Sequence, residues 1–304
     1  VPFEHFWVCS TLLHLQLLVL MRRFAFLSAA LALAFTSCLD IIEVELPEGE
    51  TRLIVNGRVT DGDSARVDVK WSVPYLNTEP NEPVTNALVV LFENEVAVDT
   101  LVHRSNGRYL SDFQGEVGRS YRVAVTVPER EGYPSGTWTS ATEALNRCND
   151  ADSIYSQYLP RAPFQQEGRY VFIHWSEAPG RGDHYRVRIF RNDTLQNQTF
   201  DLTVFNDDFN DGFVFPTPPS IPPIQIAGPD SVGVKYKVEL GSISMGLFSY
   251  LNLLREQTLQ VGGLFDPPPA PIVGNIYREG NENEYALGYF YASAIRTAEV
   301  TISE

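Results

Sequence analysis

The chain has 304 residues, 44% of them hydrophobic, 12% aromatic and 20% charged, with a formal net charge of −15. That balance belongs to folded protein and excludes a disordered chain, while the acidity argues against nucleic acid as the main partner, because polyanion binding draws on clustered Lys and Arg. Lys70, Lys235 and Lys237 are the only lysines, so nearly all 23 basic residues are Arg, and three Cys cannot build a disulfide framework.

Residues 1–20, which include Cys9, read as translated upstream sequence and not as a membrane span. From Met21, Arg22 and Arg23 lead into twelve largely apolar residues, 24–35. A basic start followed by an apolar run too short to cross ~30 Å of hydrocarbon is the pattern of a signal peptide, predicted here over 21–37. The run ends in Phe35-Thr36-Ser37-Cys38, which resembles a bacterial lipobox. Cleavage after Ser37 would leave Cys38 as the first residue, its sulfur carrying a diacylglycerol thioether. Each buried methylene contributes ~0.8 kcal/mol, so two or three acyl chains make a lasting anchor. The mature chain then holds 37 acidic and 21 basic residues, and Cys148, without a partner Cys, reads as a small buried residue and not a redox group.

Period-two alternation dominates the rest. A strand is expected about Ile42, Val44 and Leu46, then over 52–60, 65–73, 87–92, 96–102 and 120–127, separated by turns at Asp61-Gly62-Asp63, Asn106-Gly107 and 115–118. Short strands at this density suit a β-sandwich. The run from Asn86 to Tyr121 resembles transthyretin-like and carboxypeptidase-regulatory sandwiches, an analogy of fold without function. Gly132 to Gly136, with Pro134 between them, marks the expected domain boundary. Beyond it, 170–175 and 185–190 resemble the paired strands of a fibronectin type III module, and 231–243 and 285–302 could complete its sheets. Leu247, Tyr250, Leu251 and Leu254 have helical spacing, with Ser242 or Ser244 as cap and Gly262-Gly263 past the end; the apolar face of this helix is expected to cover a sheet. The stretches 215–229 and 266–271 hold six and four Pro, which predicts rigid extended loops lying across the body. The expected architecture is mainly β, in two β-sandwich-like domains. The first, 38–136, is transthyretin- or immunoglobulin-like; the second, 137–304, is fibronectin-III-like with one short amphipathic helix and Pro-rich loops.

Chemistry-bearing motifs are missing from the sequence. It has no G-x-S-x-G, H-E-x-x-H, C-x-x-C or G-x-x-x-x-G-K, and His103, His174 and His184 each lack a second ligand at metal spacing. Asn206 to Gly212 has the outline of a calcium loop, but Phe209 falls where the third ligand oxygen belongs, which favours an acidic turn. Arg181-Gly182-Asp183 is too short a match to a cell-adhesion tripeptide to carry weight. No catalytic residue, metal or cofactor is expected.

The C-terminal third carries a family resemblance. Tyr250-Leu251-Asn252-Leu253-Leu254, Gln257, the run from Gly262 through Phe265 and the prolines to Asn275-Ile276, and Ala286-Leu287-Gly288-Tyr289-Phe290 resemble members of domain-of-unknown-function family 4249, lipoproteins of Bacteroidota; so do the segments 53–60 and 152–154. Such proteins have a lipid Cys and β-rich domains, and their genes often neighbour TonB-dependent outer-membrane receptors. The resemblance implies a non-enzymatic outer-membrane lipoprotein, anchored through Cys38 and facing the cell exterior, that acts in uptake as accessory partner of such a receptor. The alternative is a free-standing glycan- or peptide-binding module, for which Trp71, Trp138 and Trp175 would have to form an exposed platform. The same lineage glycosylates Asp-Ser/Thr followed by a small or aliphatic residue, which makes Ser64, Thr100, Ser153, Thr194 and Ser231 candidate O-glycosylation sites; the competing reading is that Asp-Ser and Asp-Thr begin turns.

Overall fold

In the computed structural model the described residues are 23, 49–74, 77–176, 179–208, 211–212, 224–260 and 270–304. The signal peptide, Cys38, the strand expected at Ile42 to Leu46 and most of both Pro-rich stretches lie outside them. The fold is mainly β, as the alternation predicted. In chain order its first eight strands are β1 (Leu53–Thr60), β2 (Arg66–Trp71), β3 (Leu88–Glu93), β4 (Val96–Ser105), β5 (Arg108–Leu110), β6 (Ser120–Val127), β7 (Gly136–Ser140) and β8 (Glu143–Ala144). There follow β9 (Ala151–Leu159), β10 (Gly168–Trp175), β11 (His184–Arg191), β12 (Thr194–Leu195), β13 (Thr203–Asn206), β14 (Ile224–Asp230) and β15 (Lys235–Ile243). The helix α1 (Met245–Leu259) precedes β16 (Ile276–Arg278), β17 (Asn281–Tyr285), β18 (Phe290–Ser293) and β19 (Ile295–Thr301).

Eleven strands make one sheet, ordered β17-β16-β7-β6-β3-β4-β5-β2-β1-β18 with β8 paired to β6. Alternation sets its inner face: Leu53, Val55 and Val59 on β1, Val67, Val69 and Trp71 on β2, Tyr121, Val123 and Val125 on β6 are all buried in one core. The sheet curls until β18, at one end, packs on β6 and β8. Two smaller sheets, β14-β10-β9 and β12-β11-β15-β19 with β13 on β11, face each other across Ile173, Trp175, Val187, Val238 and Leu240, which belong to the same core. Cys148 lies there too, its thiol donating to the Leu240 carbonyl at 3.7 Å and pushed by burial up to about 12, so it is held as an inert thiol.

The boundary expected at 136/137 falls at the first residues of β7, and the large sheet crosses it. β16 pairs with β7, and β18 pairs with β1 in parallel, matching Arg58 to Tyr291 in register. Residues 49–304 cluster as one compact unit. A parallel pair needs a long crossover; here nearly the whole chain between Thr60 and Phe290 is that crossover.

Local sequence explains the returning segment. Gly288 has φ +96° and any Cβ there would meet the Val55 carbonyl oxygen at 2.3 Å, so only glycine lets the chain run beside β1. Its neighbours then bond to that strand: Leu287 N–H to Leu53, Val55 N–H to Leu287 and Gly57 N–H to Tyr289, at 2.8–3.0 Å. The Asn275 side chain bonds both backbone groups of Phe290, donating to its carbonyl at 2.8 Å and accepting from its N–H at 3.0 Å. Phe290 itself is fully buried, which contributes roughly 1.5–3 kcal/mol. The residues that carried the family resemblance are therefore a clasp of the fold.

Of the two expected caps, Ser244 caps α1, its hydroxyl accepting from Leu247 N–H at 3.1 Å. The helix buries Leu247 and Leu251 with Ile243 and Tyr289. Three expectations change. The end of the first Pro-rich stretch is a strand and not a loop, β14, which carries Pro229; it lies at a sheet edge, where a missing N–H breaks no ladder. The single strand expected over 231–243 begins only at Lys235, after a turn, and 285–302 divides into β18 and β19 at Ala294.

Candidate functional site

On β1, β2, β11 and β18 the residues that alternate with the core face a common cleft. Asn56 and Arg58 on β1 stand in register with Asp68 and Arg66 on β2, Tyr291 on β18 is the register partner of Arg58, and Arg186 and Arg188 on β11 lie opposite Gly241 and Glu239 of β15. Leu247, Tyr250, Leu251 and Leu254 of α1 form the opposite wall of this cleft, of about 330 Å³. The helix thus does cover a sheet, as expected, but its last apolar turn leaves space beneath it.

The charges there do not balance. Arg58 pairs with Asp63 at 2.5 Å; Arg188 and Lys237 share Glu239 at 2.8 and 3.3 Å; Arg66 and Arg108 share Asp68 at 3.4 and 2.9 Å. Among the described residues Arg186 has no carboxylate within ion-pair distance. Six cations therefore meet three carboxylates, in a chain whose net charge is −15. Burial alone would push the Tyr291 phenol up, but Arg186, Arg58 and Arg188 outweigh it and hold its pKa below the ordinary tyrosine value. Burial lowers the Arg188 pKa, and Arg58 and Arg186 lower it further against the opposing pull of Tyr291 and Glu239. Among the described residues the buried Arg58 Nε–H has no hydrogen-bond partner. Arg58 and Arg188 side chains are only 12% and 19% exposed, so water screens this repulsion weakly.

A second charged site lies at the other end of α1. Glu143 on β8 is buried; its Oε1 accepts from Tyr289 O–H at 2.8 Å and Asn275 Nδ2 at 3.0 Å, and Ser244 also bonds the carboxylate. No cation reaches it among the described residues, its Oε2 has no partner, and burial raises its pKa against the three hydrogen bonds. A third feature is apolar: Leu88, Val96, Val98 and Val102 on the paired strands β3 and β4 are 37–66% exposed.

The sites singled out from sequence do not converge. Cys38 lies outside the described residues. Ser64, Thr100, Ser153, Thr194 and Ser231 are scattered over separate turns and strands, all exposed except the half-buried Ser64. In three of the five triplets the Asp carboxylate accepts the next residue's N–H, at 2.7–2.9 Å; two of these, at Asp63 and Asp230, stand at turns, while Asp99-Thr100 lies within β4. In the acidic turn, Asp207 is buried and accepts the Gly182 N–H through both oxygens, while Asp211 accepts the Gly180 N–H, so these carboxylates fasten the 180–183 turn. Trp71, Trp138 and Trp175 are 2–3% exposed core residues, which removes the aromatic platform the binding-module alternative required. Sequence reasoning missed Arg58, Arg66, Arg186, Arg188 and Tyr291. The available sign was Arg-x-Arg on one strand in a chain almost without Lys.

Residues 40–299 match the model of a family described as Domain of unknown function (DUF4249), and the chain belongs to that family. No curated protein matches it.

Proposed function

We propose that this DUF4249 member is a non-enzymatic outer-membrane lipoprotein, held through a lipidated Cys38 and facing outward, that works as accessory partner of a TonB-dependent receptor in uptake. The observation that carries this reading is the exposed apolar group Leu88, Val96, Val98 and Val102. Single exposed apolar residues are ordinary, whereas several on adjoining strands mark a contact surface. Cys38 precedes β1 by only fifteen residues, a reach of about 50 Å at full extension, which holds that surface near a membrane-embedded neighbour and raises its effective concentration there. The second reading, a free-standing ligand-binding module, is favoured by the arginine-lined cleft and no longer by tryptophans.

Pull-down of the lipidated protein from native membranes should recover the receptor, and the double variant Leu88→Glu, Val102→Glu should lose it while staying in the membrane. Recovery of the lipoprotein alone, in detergent that preserves known receptor pairs, overturns the docking reading. Labelling with an alkyne palmitate analogue should mark the wild type and leave Cys38→Ala dark. Intact mass from the native host tests the five hydroxyls for added sugar.

A further inference from the structure

We infer that the cleft between β1, β11 and α1 binds a small amphipathic anion, its carboxylate or phosphate head on Arg58, Arg186 and Arg188 and its apolar body along Leu247, Leu251 and Leu254. This inference stands apart from the docking reading, because it uses a different surface.

Three observations lead to it. The first is the surplus of charge. Like charges drawn together in a partly buried place destabilise a fold, and among the described residues no carboxylate pairs with Arg186 and nothing fills the buried Arg58 Nε–H. An oxyanion supplies both the charge and the acceptors. Planar guanidinium groups match carboxylate and phosphate oxygens two bonds at a time, a geometry that lysines lack.

The second is the shape of the site. At about 330 Å³ the cleft lies at the small end of the range for small-molecule pockets, and it divides into a charged floor and an apolar wall. A bare inorganic ion would leave the leucines of α1 wet, and a neutral hydrocarbon would leave the arginines unanswered. A molecule with an anionic end and an apolar end suits both walls.

The third is the setting. In a strongly acidic protein a local excess of cations inverts the field, so anions are drawn to this place and repelled from the surface at large.

The test uses residues 38–304 carrying Cys38→Ser, which needs no detergent, with octyl phosphate as probe in titration calorimetry. Octyl phosphate should bind, with octanol and inorganic phosphate each at least about 10-fold weaker, and octylammonium without measurable affinity. Arg186→Met should weaken octyl phosphate about 10-fold without lowering the melting temperature, because it orphans no carboxylate. Leu254→Glu, on the apolar wall, should weaken it as well. Arg130→Met, which breaks a remote exposed ion pair with Glu82, should leave binding unchanged. Co-sedimentation with phosphatidylglycerol vesicles that Arg186→Met abolishes would identify a lipid head group as the source of the anion; octyl phosphate binding without co-sedimentation would identify a free solute. Octanol binding as tightly as octyl phosphate, phosphate alone binding as tightly, no binding of either octyl phosphate or vesicles, or an affinity untouched by Arg186→Met would each overturn the inference.

Discussion

The two ends of α1 treat charge in opposite ways. At its N-terminus a single carboxylate, Glu143, is buried without a counter-ion among the described residues and is held by neutral donors from Asn275, Tyr289 and Ser244. Along its apolar face, four arginines and one aspartate, Arg58, Arg66, Arg186, Arg188 and Asp68, line an open cleft. The donors around Glu143 are fixed by the backbone they also hold: Asn275 is bound to Phe290, and Ser244 caps the helix. That charge is absorbed by the architecture. The arginines stand on strands whose pairing is complete without them, so their excess charge has no such structural use. A buried charge whose neighbours are all occupied elsewhere is part of the fold; one whose neighbours repel it is set up for something that arrives.

Breaking the first region should have the largest effect. Asn275→Leu removes the donor to Glu143 and leaves both backbone groups of Phe290 without partners inside the core. Two or three buried unsatisfied groups cost about 4 kcal/mol together. In a unit of this size that corresponds to a fall of roughly 10 °C in Tm. Urea denaturation should show it, with the arginine cleft's affinity for octyl phosphate altered much less. A loss under about 1 kcal/mol would mean that the clasp is not held by this side chain.

A smaller effect comes from titrating the same site. Burial raises the Glu143 pKa above its ordinary 4.5, so the folded state binds this proton more tightly than the unfolded chain does. Its contribution to stability is therefore greatest below the ordinary value and declines as pH rises through 4.5 toward the raised folded value, becoming constant above it. Glu143→Gln removes that slope. The stability difference, wild type minus variant, should fall with rising pH across this window. A difference that is flat or rises would show that hydrogen bonds from Tyr289 and Asn275 outweigh burial.

The comparison also shows what could be read in advance. β1, β2 and β6 were legible because buried Val, Leu and Tyr alternate with less buried positions, as a half-buried sheet needs, and β3 because it is a short run of Val, Leu and Phe. The helix and one of its two proposed caps were legible from spacing. β9 escaped because only intermediate or exposed positions follow one another along it, and β14 because Pro229 argues against any strand but an edge one. The clasp was visible as a family pattern, but its meaning was not: Gly274 packs on Gly288, Gly288 lies against Val55, and Asn275 holds Phe290 beside Gly57, each strand contact bridging more than 200 residues of chain. The cleft was the least legible. Arg58, Arg186 and Tyr291 each sit on the polar face of a separate strand, where a charged residue is unremarkable until the sheets bring the three together.

The smallest effect expected lies within the cleft and separates its paired from its unpaired arginines. Arg188 shares Glu239 with Lys237, and its loss leaves that carboxylate with one partner at 3.3 Å. Arg186 answers no carboxylate among the described residues. Arg188→Met should therefore lower stability by about 1 kcal/mol, and Arg186→Met should raise it by about 0.5 kcal/mol, in ligand-free protein at low salt. The sign, more than the size, decides the matter. Added NaCl screens repulsion among the exposed parts of the cluster and supplies a weak anion, so wild-type stability should climb between about 0.02 and 0.5 M salt, with a shallower climb in Arg186→Met. Octyl phosphate should abolish the difference between low and high salt in the wild type, because the head group provides the charge that salt only approximates. If Arg186→Met destabilises the ligand-free protein as much as Arg188→Met does, then Arg186 has a structural use after all, and the cleft belongs with Glu143 as part of the scaffold.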